Sequence, residues 1–192
     1  DKYNIPAHIQ VSREELMIVT RKLLAYMKGE APDLIIEAGV AGERREFFNQ
    51  REKDHMVDVK NLILGGFMIR NAAAAVIAAS LIILSLLRVR FVKYFMQAVK
   101  FVFAGFIIAA SALTAIIVSD FDRAFTVFHQ LFFNNDLWIL NPDNDLLVNI
   151  VPLGFFTDIS ALVGVIFGGL CLAAIIVSIV YNRIVYNRID SD

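Results

Sequence analysis

Three stretches of this chain are too long and too apolar to be ordinary core helices: Asn71–Leu87 (NAAAAVIAASLIILSLL), Phe101–Ser119 (FVFAGFIIAASALTAIIVS) and Ser160–Tyr181 (SALVGVIFGGLCLAAIIVSIVY). Roughly 20 helical residues cross the ~30 Å hydrocarbon layer of a bilayer. The first stretch is short on its own, but LILGGFMI before Arg70 extends it outward. In lipid every backbone amide must be paired within its own segment, so each stretch is expected to be a helix. With 58% hydrophobic residues the chain exceeds the apolar usage of an ordinary soluble domain. The predicted fold class is mainly α: a polytopic membrane protein with three transmembrane helices in this chain.

The cations set an orientation. Arg88, Arg90, Lys93 and Lys100 cluster between the first two spans, and Arg183 and Arg188 follow the third, which places both regions in the cytoplasm. The loop Asp120–Asp158 then lies outside, with Arg123 as its one basic residue against six aspartates. Residues 1–61 lie outside too, because they precede a span that runs inward. An exported N-terminal region needs an export signal, so a fourth, N-terminal helix is expected ahead of Asp1. The organisation expected is an extracellular cap segment at 1–61, a transmembrane helical pair at 62–119, an aromatic-rich extracellular loop completing the cap at 120–159, and the last transmembrane helix with a cytoplasmic tail at 160–192.

A net charge of -1, with no long Lys/Arg run, gives no electrostatic footprint for nucleic acid. The single cysteine, Cys171, cannot form an internal disulfide and sits among Ala, Leu and Gly, where it suits packing rather than nucleophilic chemistry. GVIFG, Gly164 to Gly168, has the small-residue spacing of helix packing.

Outside the spans, SREELMIVTRKLLAYMKG opens with a capping box, Ser12 to Glu15, carries apolar residues at Leu16, Val19, Leu23 and Met27, and stops at Gly29. It predicts an amphipathic helix. Ala31–Gly42 reads as loop with a short strand at Leu34–Glu37, and Glu43–Lys60 as a helix leading to the first span through a bend at Gly65-Gly66. Asp120–Phe133 reads as a helix with Phe121, Phe125, Phe128 and Phe132 on one stripe. Turn residues NND and NPDND flank LWIL, and Pro152 with Gly154 suggests a membrane-skimming or re-entrant piece.

The candidate chemistry rests on histidines. His55 stands in REKDHMVDVK with Asp58 three residues on, so on a helix the carboxylate can reach the near ring nitrogen, select the tautomer and leave the other nitrogen as a base. A surface histidine on a charged helix has the same spacing. His129 lies one turn from Phe125, Phe132 and Phe133, where a histidine also serves simply as a satisfied polar group at the membrane interface. Both histidines fall near the outer end of a span, whereas His8 sits in an irregular, solvated piece. Arg70, the one charge embedded near a span's outer half, either snorkels or holds a phosphate or carbonyl oxygen. HMVD supplies only two metal ligands at one-turn spacing, so no metal or other cofactor is expected. Two imidazoles can move protons near neutral pH without one.

FHQLFFNNDLWILNPDNDLLVNIVPLGFF together with HMVDVKNL resembles the bacterial lipoprotein intramolecular transacylases, integral membrane proteins of low-GC Gram-positive bacteria. The likeness runs from the cap helix through the third span, and the absent first of four helices is its main departure. The resemblance implies an extracellular cap on the bacterial cell membrane and puts the two catalytic histidines on His55 and His129. It further implies that the substrate is a diacylglyceryl lipoprotein whose sn-2 acyl chain moves to the α-amino group of its N-terminal cysteine, giving the lyso form. Asp58 would orient His55, while Asn135, Asp136 and Trp138 would shape the pocket or bind polar parts of the substrate. Two other readings fit the residues alone: a non-catalytic membrane scaffold or sensor, and a metal-dependent lipid hydrolase.

Overall fold

The computed structural model describes residues 2–87 and 91–189. Arg88 and Arg90 of the orienting cluster lie outside the described residues, as do the Lys93 and Arg188 side chains. In chain order the elements are α1 (Ile5–Ile9), α2 (Arg13–Met27), β1 (Glu37–Val40), β2 (Glu43–Glu46), α3 (Gln50–Leu86), α4 (Phe91–Ser119), α5 (Phe121–Phe132), α6 (Leu146–Ile150) and α7 (Leu153–Ile189). Of these, α3, α4 and α7 are long and apolar enough to cross a membrane, as the sequence predicts. The protein is a multi-pass membrane protein.

At about 1.5 Å per residue, α3 is far longer than a bilayer is thick: its 37 residues cover roughly 55 Å. The surplus is its opening stretch, Gln50–Asn61, whose Arg51, Glu52, Lys53, Asp54, Asp58 and Lys60 exclude it from hydrocarbon. That stretch stands clear of the membrane-spanning part and carries His55. The helix continues through Gly65-Gly66, so the expected bend is not a break. Pro152 stands at the join of α6 and α7. It precedes the first turn of α7, where its missing N–H costs nothing, and α7 then runs on unbroken. Tyr3 donates its hydroxyl to the Gly154 carbonyl at 2.8 Å, and its ring stands 2.7 Å from where a Cβ on residue 154 would lie, so any side chain there would displace the Tyr3 ring.

The chain forms two compact units. The first comprises Asp1–Ala74 and Thr126–Thr157. Ser12 caps α2 by accepting the Glu15 N–H at 3.1 Å, and Gly29, with φ +78°, ends the helix in the left-handed conformation that glycine adopts without strain. The apolar stripe expected on α2 is the buried one: Val19 and Leu23 are in the core, with Leu16 and Met27 packed against it. Lys60 of α3 lies over the Tyr26 ring at 4.1 Å and donates to the Ala31 carbonyl at 3.0 Å, fastening the end of α2 to α3.

The hairpin differs from expectation. The strand falls at Glu37–Val40 rather than Leu34–Glu37, and Glu43–Glu46 is its antiparallel partner, not the start of a helix. Ala41 and Gly42 turn between them with φ +55° and +86°, the positive pair that a two-residue hairpin requires. Every residue of β2 is exposed. The run ERRE therefore has no apolar alternation to announce a strand. Phe47 and Phe48 follow, edge to face at 4.9 Å and almost wholly buried, each worth about 1.5–3 kcal/mol of apolar burial. They anchor the chain where α3 begins.

The second unit comprises Ala75–Phe125 and Asp158–Asp192. Within it Cys171 and Ser178 of α7 are buried, Ser178 donates to the Met96 carbonyl of α4, and Phe106 meets Phe167 edge-on at 6.3 Å. No described atom outside the helix comes within 4 Å of a Cβ added at Gly164 or Gly168.

Candidate active site

Residue by residue, the start of α3 is built to hold one side of a site. Asn49 and Glu52 form a reciprocal cap: the Asn49 side chain accepts the Glu52 N–H at 3.0 Å, and the Glu52 carboxylate accepts the Asn49 N–H at 2.7 Å. The other Glu52 oxygen accepts the Leu147 N–H of α6 at 2.6 Å. Asp145, also buried, accepts from the Asn49 side chain and the Asn141 N–H, both at 2.6 Å. These two carboxylates staple the loop after α5 to the first turn of α3. One turn later comes His55, 6% exposed.

α5 supplies the opposite wall. Its buried residue is His129, 8% exposed, while Phe128 and Phe132, which pack on each other at 4.8 Å, stay about half exposed. The imidazole is thus turned inward and much of the predicted aromatic stripe outward. Phe133, just beyond α5, is buried and touches both imidazoles, at 5.4 Å from His55 and 5.5 Å from His129. Trp138 stacks on His129 at 4.9 Å with planes 29° apart. The two imidazole centroids stand 6.1 Å apart, although 74 residues separate them in sequence.

Burial, first, and then the neighbouring His129 charge push the His55 pKa down to about 4; Asp58 pulls it up and Arg51 adds to the lowering. His55 is consequently neutral near pH 7. Its Nδ1 is buried with no hydrogen-bond partner among the described residues. The expected Asp58 contact to the near nitrogen is therefore not made. Asp58 instead accepts the Asn135 side-chain amide at 2.8 Å and acts on His55 through charge. Such a pair of imidazoles, one held neutral, can exchange a proton with a group placed between them.

A family model described as lipoprotein intramolecular transacylase Lit matches residues 1–156. The chain belongs to the lipoprotein intramolecular transacylase (Lit) family. It is an enzyme of that class, acting on lipoproteins. No curated protein matches the chain. A solved structure of the membrane-integral Lit from Bacillus cereus matches with a TM-score of 0.68 at 22% identity, covering 98% of this chain and 80% of that one. Two further Bacillus cereus Lit structures, with a histidine changed to alanine and to arginine, match with TM-scores of 0.63 at 21% and 22% identity, covering 98% of this chain and 79% and 78% of theirs. The likeness shows that the Lit fold is shared.

Within this Lit chain the structure brings together His55, His129, Asp58, Asn135 and Trp138. Asp136 contributes its backbone: its carbonyl accepts from the Arg51 guanidinium, while its side chain is exposed. Arg70 stays apart. It lies 15 residues beyond His55 on α3, roughly 22 Å along the axis, exposed, over the Phe67 ring at 4.8 Å and bonded to Asn71. His8 is exposed on α1. Sequence reasoning passed over Phe133 as a shared wall, Arg51, Glu52 and Asp145. Of these only Glu52 had a legible signal, the spacing Asn49-x-x-Glu52 of a capping box. Among the described residues no group of three or more His, Cys, Asp or Glu side chains gathers as a metal site.

Proposed function

We propose that this Lit enzyme moves the sn-2 acyl chain of a diacylglyceryl lipoprotein to the α-amino group of its N-terminal cysteine on the extracellular side of a bacterial membrane, with His55 and His129 as the proton-transfer pair. The observation that carries the reading is the 6.1 Å approach of two buried imidazoles around one phenylalanine and one tryptophan. The positive-inside pattern of the loops supports the extracellular assignment.

In the reaction an N–C bond forms between the amine and the ester carbonyl carbon, the ester C–O bond breaks, and one proton passes from nitrogen to the glycerol oxygen. His55, neutral before the substrate arrives, accepts the proton from nitrogen; Asp58 beside it steadies the imidazolium. His129 faces the developing oxyanion and the departing glycerol oxygen. Nucleophile and ester share one molecule, so the ring closed in the transition state has about eight members and gains most from a site that folds it. Trp138, Phe133 and the loop clamped by Glu52 and Asp145 provide the shaped wall.

A crossover experiment tests this reading. Two lipoproteins are mixed with the enzyme, one bearing deuterated acyl chains and the other a mass-tagged peptide. Each N-acylated product is expected to keep its own chains, with no free fatty acid released. Scrambled products, or fatty acid in place of transfer, would overturn it.

A further inference from the structure

Beside the histidine pair, on the face of α3 that continues from His55, lies a cavity of about 190 Å³ lined by Asp58, Asn61, Leu62, Phe132, Phe133 and Asn134. Positions 55, 58 and 62 fall on one stripe of a 3.6-residue helix, so the cavity is the next compartment along from the imidazoles. Phe133 walls both. Its chemistry divides in two. Leu62, Phe132 and Phe133 form an apolar side; Asp58, Asn61 and Asn134 form a polar one. Asn135 occupies Oδ2 of Asp58, which leaves Oδ1 with no hydrogen bond from another described residue. The Asn61 and Asn134 side chains likewise bond to no other described residue.

We infer that this cavity is the subsite for the peptide end of the lipoprotein: Asp58 Oδ1 accepts an N–H of the cysteine α-amino group, and the Asn61 and Asn134 amides bind the first peptide link. The inference rests on the proposed function and names which part of the substrate lies where. A primary amide offers one acceptor and two donors, the complement of a backbone C=O and N–H, and it is blind to the side chain that follows. The amine still donates to the carboxylate once neutral, and the hold that Asp58 has on the ammonium passes to the imidazolium as His55 takes the proton, because the same carboxylate raises the His55 pKa. The apolar wall suits the thioether and glyceryl carbons between amine and ester. The enzyme therefore recognises a free amine and a main-chain amide, and accepts lipoproteins of differing sequence after the cysteine.

The test uses the full-length enzyme in detergent with two synthetic substrates, a diacylglyceryl-cysteinyl tetrapeptide and the diacylglyceryl-cysteine methyl ester, which lacks the first peptide N–H. Both side chains are exposed, so Asn61→Ala and Asn134→Ala leave the core intact. Each variant is expected to raise KM about threefold to tenfold for the tetrapeptide, as for a lost hydrogen bond, with kcat within about twofold. The methyl ester keeps the carbonyl but lacks the N–H, so it is expected to show a higher KM in wild type, which the variants raise less than they raise that of the tetrapeptide. An unchanged KM for the tetrapeptide, or an equal rise for both substrates, overturns the subsite. Absence of transfer by wild-type enzyme on either substrate overturns the proposed function instead.

Discussion

Asn135 donates its side-chain amide to Asp58 at 2.8 Å, joining a loop after α5 to a helix 77 positions earlier in the chain. Asp58 lies one turn beyond His55, so the bond fixes a carboxylate beside an imidazole that burial and the His129 charge otherwise keep deprotonated. Asp58→Asn should push the His55 pKa further below its present value and lower kcat/KM about tenfold, roughly 1.4 kcal/mol of transition-state stabilisation. Asn135→Ala should have a smaller effect of the same sign. Steady-state kinetics of both variants, with transfer followed by mass spectrometry, checks the order.

The coupling between the histidines has its own signature. His129 lowers the His55 pKa, so His129→Ala should raise it from about 4 toward the ordinary value of 6.5. Histidine carbon NMR in detergent micelles reads this directly, since only three histidines contribute signals. Stability follows the same linkage. Between pH 6.5 and about 4 the unfolded chain binds a proton that the folded chain refuses, so His55 costs the fold stability as pH falls through that window. His55→Gln should flatten that part of the pH profile of thermal unfolding.

Trp138 lies against His129 with ring centroids 4.9 Å apart. Stacked aromatic pairs contribute about 0.5–1.5 kcal/mol beyond their buried area. Trp138→Ala should cut kcat/KM about tenfold by freeing the imidazole, while Trp138→Phe, which keeps a ring face, should retain most activity. A Trp138→Phe enzyme as impaired as Trp138→Ala would show that the indole N–H, not the stack, matters.

Glu52 is 1% exposed and accepts two backbone N–H groups, those of Asn49 and Leu147. Glu52→Ala strands both donors and should cost about 2–5 kcal/mol, read as a lowered unfolding temperature in detergent. Glu52→Gln keeps one acceptor and should cost less. Burial raises the Glu52 pKa, so its contribution is complete below about 4.5 and is lost as pH climbs through the raised value. The glutamine variant, which cannot ionise, should lack that slope.

The spans were legible because hydrocarbon imposes one pattern, a long apolar run, and three such runs stand in the chain. The α2 stripe and its Ser12 cap were legible for a similar reason: spacing and cap chemistry act within a few residues. The hairpin was not, because β2 is wholly exposed and its charges carry no period-two signal. Nor could local spacing reveal that Asp58 bonds Asn135 instead of His55, or that α5 turns His129 inward and leaves Phe128 exposed. Those outcomes are decided by contacts between residues far apart in sequence. Local spacing and topology brought both histidines forward and the family resemblance gave them a role; the fold supplied the distance between them.

The most direct measurement is mass spectrometry of the N-terminal peptide of a diacylglyceryl lipoprotein after exposure to wild-type, His55→Ala and His129→Ala enzymes. Wild type is expected to leave the acyl count unchanged while one chain moves from oxygen to nitrogen. Each single variant, still folded, should lose at least about a hundredfold in rate. Full transfer by either variant would contradict a reaction run by two imidazoles acting as one pair.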